Sequence, residues 1–377
     1  MQRQMLQISN FLDNKPLYFD KIDHKRVHFA YGILKPHIKQ PQIIHIIGTN
    51  GKGSTGRTIA HLAKRSLRVG HFSSPHISKF NERIWIDGED INDIDLNKAH
   101  TKLYSILKED ISNSLSYFEY TTLLALVAFE DLDLIVLEAG LGGEFDATNV
   151  CDKDLTVVTP IGIDHQQFLG DTIEEIASTK IRSVQKQALI ANQPHIEVST
   201  IAKDIAKSQN TKLYFASKDI KIDLDFSDYI KDNILVALEA LDILSIYYNI
   251  RDLESLELFG RFYRFDKNII IDVGHNILAS RAILKALNHR VILIYNSLDD
   301  KDYKEILRIL KPKIKRVEII KIPSQRATTI EEIESSLDSL DILYSIYNNK
   351  IDSKEEYLVF GSFYVVEEFL RMYNNYQ

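Results

Sequence analysis

The stretch HIIGTNGKGST, from His45 to Thr55, decides the fold: an apolar strand runs straight into a Gly-rich turn and then into a helical pattern. Glycines let successive backbone N–H groups converge on one anion, and the positive end of the helix dipole sits at the same place. In such a loop Lys52 reaches the β- and γ-phosphates of ATP, and the Ser54 hydroxyl can ligate Mg²⁺. Thr49, Asn50, Gly51 and Gly53 complete the candidate ATP-binding loop. The spacing departs from the standard Walker A motif: two residues rather than four separate Gly48 from the Gly51-Lys52 pair, and Gly53 intervenes before Ser54. A bare GxxGKGS string also fits an ordinary strand-to-helix turn with an incidental lysine. The strand and helix context favours phosphate binding. By itself the loop does not choose among kinases, motor ATPases, GTPases and ligases.

Outward from this loop, β-branched runs alternate with helical periodicity over residues 42–215, the pattern of a buried parallel sheet in an α/β fold. The expected strands are IIHII (43–47), VGHFS (69–73), LDLIVLEA (132–139), LTVVTP (155–160) and QALIA (187–191). Helices are expected over 52–67, 120–130 and 172–182. A second series starts near Lys267, where NIIIDVG, RVILIY, RVEIIKI and EYLVFG read as strands with helices at 277–287 and 303–310 between them. The join falls at 259–266, after a helical stretch at 233–248. The fold class is therefore α/β: an N-terminal P-loop ATPase-type domain with a central, mostly parallel sheet, and a smaller Rossmann-like C-terminal α/β domain. We divide them as 1–262 and 266–377. The terminal YNNYQ reads as a frayed tail.

Composition narrows the class. A chain of 377 residues is too long for one compact core. Its net charge of −7, with Lys and Arg in no dense block, argues against a nucleic-acid protein. The one cysteine, Cys151, excludes an intramolecular disulfide and a thiolate zinc site. The opening MQRQMLQISNFLDNKPLYFD has no apolar run suited to a signal peptide, and no later stretch approaches ~20 apolar residues. The expectation is a cytoplasmic monomer with no membrane partner.

Further motifs carry chemistry. Glu138 ends an apolar strand before the Gly-rich turn of LEAGLGGEFDATN, where open α/β sheets bind ligands and where a carboxylate suits a hard cation. It could equally cap the turn or face solvent. His165, beyond another strand in TPIGIDHQQFLGDT, is a second candidate, although a lone histidine there is more often structural; Asp164 beside it could ligate or cap. On pattern alone, Lys180 in IEEIASTKIRS is a surface lysine. The segment SSPHISKFNERIWIDGEDI forms a rigid turn at Ser74, Pro75 and His76, and its Phe80, Arg83 and Trp85 could flank a flat, anionic ligand. A loop leading into a short hairpin strand explains it too.

Taken in order, GTNGKGS, SSPHISKFNERI, FEYTT, LEAGLGGEFDATN, TPIGIDHQQFLGDTIEEIASTK, FGRF, IIDVGHN and VFGSFYVVEE resemble the folylpolyglutamate synthase/dihydrofolate synthase branch of the Mur ligase family. The matching motifs extend from Ile43 to Glu368, and the SPH…FNERI and GLGG…DATN segments point to the folate branch. The resemblance implies an amide-forming ligase that joins L-glutamate to dihydropteroate or a folate, with ATP as co-substrate and one or two Mg²⁺ ions. A peptidoglycan-precursor amino-acid ligase and a nucleotide-gated ATPase without ligase chemistry are the alternatives. Residue by residue, it implies that Lys52 and Ser54 contact phosphates and metal. Ser74, Glu138 and His165 match metal positions, and Lys180 matches a carbamylated lysine. Arg261 matches an arginine that approaches the phosphates. Asp272, His275 and Asn276 match a motif serving nucleotide and amino-acid substrate. Ser74, Pro75, His76, Phe80, Arg83 and Phe118 would surround the pterin-bearing acceptor. The chain departs from the family pattern at Phe259, Gly274 and Ile277, where Pro, Ala and Pro are usual, and at Glu144, where a basic residue is common.

Overall fold

The structure, a computed structural model, describes residues 7–16 and 23–374, apart from the side chain of His24. Part of the opening stretch read for a leader, and the last three residues of YNNYQ, lie outside the described residues. The chain forms two compact units. The first holds the residues up to Gly162 with Gln166–Lys221 and Asn233–Leu256; the second holds Ile163–His165, Ile222–Asp232 and the chain from Glu257 onward.

The first unit is built on strands β1 (Gln42–Ile47), β2 (Val69–Phe72), β3 (Ile84–Ile86), β4 (Glu89–Asp90), β5 (Leu134–Glu138), β6 (Leu155–Val158), β7 (Gln187–Ile190) and β8 (Lys212–Phe215). They lie in the order β4-β3-β2-β5-β1-β6-β7-β8. From β2 to β8 all neighbours are parallel, while β3 and β4 add an antiparallel hairpin. Continuous apolar runs suit the central strands of this sheet because both of their faces are buried. One core cluster gathers Ile43, Phe72, Leu137 and the helix Tyr117–Ala128; another gathers Ile47, Val158, Ile176 and Val198. Each such fully buried side chain contributes about 1.5–3 kcal/mol. Register places Ile46 beside Glu138 and Ile47 beside Val158, so the loops leaving β1, β5 and β6 emerge at one end of the sheet.

The helix expected at 120–130 begins earlier, at Tyr117, because Ser116 and Glu119 form a capping box. Helices Asp93–Ser114 and Ile196–Gln209, and strand β8, add to the expected set. Among the described residues no helix is long and apolar enough to cross a membrane.

The second unit carries β9 (Tyr263–Asp266), β10 (Ile269–Asp272), β11 (Val291–Tyr295), β12 (Ile314–Ile319), β13 (Tyr344–Ile346) and β14 (Tyr357–Phe360). Their order is β13-β12-β11-β14-β10-β9, parallel throughout except for β9 against β10. The four strands read from the sequence are β10, β11, β12 and β14. Strand β9 forms from the stretch read as the join. The tail reading also changes: Tyr373 and Asn374 end the helix Phe363–Asn374, and the Tyr373 hydroxyl donates to Asp266 while its ring packs on Phe265 and Phe369.

Candidate active site

The turn after β1 is held from β6. The amides of Thr49 and Asn50 both donate to the Pro160 carbonyl, at 3.0 and 3.2 Å, and the Thr49 hydroxyl donates to Gly162 O. These two N–H groups are thus engaged within the protein. An anion would meet the N–H groups that open the helix Lys52–Ala63, which have no intrahelical acceptor. Gly51 enters that helix with φ +86°, and a Cβ there would sit 2.6 Å from Asn233 Oδ1. Asn233 Nδ2 in turn donates to Ser54 Oγ at 3.0 Å. Among the described residues Lys52 Nζ makes only long contacts, 3.4 Å to Gly48 O and 3.3 Å to Thr49 O.

Gly48 has φ +139°, and a Cβ on it would overlap Thr159. Gly48→Ala should therefore lower stability by about 2–4 kcal/mol, read from the denaturant midpoint. A variant as stable as the native chain would show that the turn is not wedged against β6.

Lys180 corrects the pattern reading: it is buried, at 4% exposure, and Nζ donates to Gly48 O at 3.1 Å. The capping box Thr172/Glu175 starts its helix, Ile173–Ile181, and Lys180 falls three and four residues after Ala177 and Ile176, on the face that packs into the core. A Cβ at Gly143 would overlap the Lys180 carbonyl, so the GLGG turn passes directly over this helix. Asp146 of the same loop accepts from Leu141 N, Thr148 N and Thr148 Oγ1, folding GLGGEFDATN on itself. Burial raises its carboxyl above the usual range, opposed by these hydrogen bonds and by the Lys180 charge. Glu144, the acidic departure, pairs with Arg182 at 3.1 Å.

Glu138 is buried rather than solvent-facing, and its Oε2 accepts from Ser74 N at 3.4 Å, so two of the metal candidates meet here. A carboxylate beside the serine of that turn offers oxygen donors, which suit a hard divalent cation. Among the described residues no group of three His, Cys, Asp or Glu is arranged to hold a metal. His165 belongs with the second unit, where its backbone adopts φ +52° and its amide donates to Asp164 Oδ1.

The acceptor-loop candidates come together. Glu82 accepts from the amides of Ile77, Ser78 and Lys79 at 2.7–2.8 Å, which shapes the loop from within. Arg83 Nε donates to His76 Nδ1 at 2.8 Å, and the guanidinium lies 5.3 Å from the Tyr117 ring and 6.0 Å from Phe80. Burial, with Arg83 next, pushes the His76 imidazole down to about 4, which keeps it neutral at pH 7. The Ser74–Pro75 peptide is cis. Phe118 packs on Gly140 and Phe72. Trp85 does not line this surface as the sequence suggested; it is buried in β3, with the Arg57 guanidinium 4.8 Å from its ring.

In the second unit Asp272 accepts from Gly274 N, Phe262 N and Tyr229 Oη at 2.7–2.9 Å. Burial raises its carboxyl, opposed first by the Arg261 charge. Arg261 lies 5.2 Å from the Phe363 ring. Asn276 caps the helix Ile277–Ala286 through Ala279 N and donates to Asp164 Oδ2 at 3.1 Å. His275 Nδ1 donates to Val273 O, which leaves Nε2 3.8 Å from Asp164 Oδ2. Lys301 Nζ completes this cluster, 2.7 Å from Asp164 Oδ1. Burial raises the Asp164 carboxyl, but His275, His165 and Lys301 more than offset it and leave it well below the usual range. Asn233, Tyr229, Lys301 and Arg57 went unread in the sequence, since each reaches its partner only through distant parts of the chain.

The family described as "Mur ligase middle domain" matches residues 46–262. The dihydrofolate synthase/folylpolyglutamate synthase of Haemophilus influenzae is 31% identical over 87% of this chain and 88% of its own length. A folylpolyglutamate synthetase of Helicobacter pylori superposes with a TM-score of 0.78 at 37% identity, covering 98% of each chain. The bifunctional folylpolyglutamate synthase/dihydrofolate synthase of Yersinia pestis, complexed with AMPPNP and Mn ion, does so at 0.85 and 26% identity, covering 97% of this chain and 96% of that one. Similarity of this extent, together with the residues gathered at the two sites, means that the chain belongs to the Mur ligase family, in its dihydrofolate synthase/folylpolyglutamate synthase branch.

Proposed function

We propose that this protein uses ATP to join L-glutamate, through an amide bond, to a pterin-bearing carboxylate: dihydropteroate or a folate glutamate. The observation that carries the reading is the phosphate loop at Gly48–Ser54, backed by Asn233 and by the buried Lys180. Its name and bound molecules make the Yersinia pestis relative consistent with this, as does the name of the Haemophilus influenzae relative. We assign residues 1–262 to nucleotide and acceptor binding and 266–377 to delivery of glutamate.

A carboxylate resists attack by an amine because oxide is a poor leaving group. An acceptor oxygen attacks the γ-phosphorus, the bond to the bridging oxygen breaks, and ADP departs. The neutral amine of glutamate then adds to the acyl-phosphate carbonyl, and collapse of the tetrahedral adduct forms the amide and expels phosphate. Charge repulsion between acceptor and triphosphate is the first barrier, and Lys52 and Arg261 oppose it with fixed positive charge. When bound, a divalent cation supplies further neutralisation of the phosphates, and Ser54, Ser74, Glu138 and His165 are the residues we assign to hold it. Thr49, Asn50, Gly51 and Gly53 shape the ATP loop. Ser74, Pro75, His76, Phe80, Arg83 and Phe118 seat the acceptor. Asp272, His275 and Asn276 bind and orient nucleotide and glutamate. Lys180 is assigned as carbamylated, a carboxylate-like group beside the phosphate loop.

Purified protein with ATP, Mg²⁺ and glutamate should release phosphate at full rate only when dihydropteroate or tetrahydrofolate is also present. The product should be heavier than the acceptor by one glutamate residue. Phosphate release indifferent to both acceptor and glutamate would overturn the assignment.

A further inference from the structure

Arg57 stands on the helix Lys52–Ala63, one turn beyond Ser54. The helix covers a ladder of side chains on one face of the sheet. His71 in β2 lies opposite Trp85 in β3, and Trp85 opposite Asp90 in β4; residues paired this way share a face. In β5 His71 is beside Val136, which puts Glu138, two residues on, on that same face. The helix sits close upon it, since a Cβ at Gly56 would approach His71 Nε2 to 2.6 Å.

The Arg57 guanidinium rests on this ladder, 4.8 Å from the Trp85 ring centroid. Among the described residues its side chain forms no hydrogen bond and no ion pair, although a guanidinium carries five N–H donors. Its neighbours within electrostatic reach are Asp90, Glu138 and Glu82. Burial pushes its own pKa down to about 10, and those three carboxylates oppose the fall. His71, buried with both ring nitrogens unpartnered, is kept neutral by burial and supplies no competing charge. Lys64 reaches the same Trp85 ring but lies further off, at 5.8 Å.

A cation that faces a metal-binding carboxylate without bonding to it does two opposed things. It stabilises the ionised carboxylate, and it repels a second cation. We propose that Arg57 is a positioning residue that serves as the built-in counter-cation of the metal site: its fixed positive charge, on the sheet face that carries Glu138, holds divalent-cation affinity low until nucleotide phosphates add their negative charge. On this account the metal arrives with the nucleotide. The inference rests on the reading of Glu138 as a metal ligand.

The test measures Mn²⁺ binding to the full chain without substrates, by the electron paramagnetic resonance signal of the free ion. Arg57→Met should bind Mn²⁺ about tenfold more tightly than the native protein, and Arg57→Lys should restore the native affinity. A merely structural role predicts weaker binding, or none, in Arg57→Met, and either that or an unchanged affinity overturns the proposal. The native protein supplies a measurement that needs no variant: once the Mn²⁺ chelated by ADP in a protein-free control is subtracted, adding ADP should tighten Mn²⁺ binding to the protein at least about tenfold, and equal affinity with and without ADP overturns the proposal. Glu138→Gln separates the two levels of the argument. Loss of Mn²⁺ binding supports the ligand assignment whatever Arg57 does, whereas unchanged binding removes that assignment and the proposal with it.

Discussion

Lys52→Ala is expected to lower kcat/KM for glutamate ligation about a thousandfold while shifting the thermal midpoint by only a few degrees. The asymmetry follows from what the side chain does in each state. Without substrate, Nζ makes two contacts of 3.3–3.4 Å to carbonyls of its own loop, long enough that losing them costs little. On the role proposed for it, the same ammonium with ATP bound would face charge that grows on the transferring phosphoryl group, in a site where water no longer screens it. Phosphate release under single-turnover conditions would read the effect directly. Undiminished ligation by a folded variant would remove the phosphate loop from the reaction.

Lys180→Ala should lower turnover about a hundredfold, and acetate should restore part of the loss. Lys180 is buried against Gly48 O and stands in the field of Asp146, so its removal leaves a hole lined by polar atoms. Carbamylation joins CO₂ to the neutral amine and turns a cation into an anion. A small carboxylate that diffuses into the hole supplies a similar charge. Turnover measured against acetate concentration decides it. A variant that stays inactive at every acetate concentration would mean that Lys180 acts as an ammonium bracing the phosphate loop. Intact mass of the native protein, read for an added CO₂, provides an independent measure.

Local pattern made the phosphate loop legible, because strand, glycines, lysine and helix are contiguous and each has a physical reason. Glu138 and strands β10, β11, β12 and β14 were legible from their apolar runs, whereas β13 (Tyr344–Ile346) went unread. Lys180 was not. Its helix reads as a surface helix, and only the packing of Ile176 and Ala177 into the core, with the close approach of Gly143, shows why that face turns inward. Asn233 was out of reach as well, since its partner Ser54 lies 179 residues away and nothing near it in the chain marks it as polar machinery. Strand β9 was read as a join because YRFD has no apolar run; it pairs through its backbone with β10 and needs none. The metal and acceptor assignments came from ordered resemblance, and packing then explained how His76, Phe80 and Arg83 can share one surface.

The pin between Tyr373 and Asp266 bears on how the protein can be handled. Among the described residues strand β9 ends its sheet with a strand partner on one side only, and unpaired strand edges act as templates for other chains. The aromatic stack of Phe265, Phe369 and Tyr373 anchors the last helix to that strand. An affinity tag or fusion partner placed at this end therefore has to be spaced beyond Tyr373, and a trimmed version cut before it would invite the sheet to recruit a stranger.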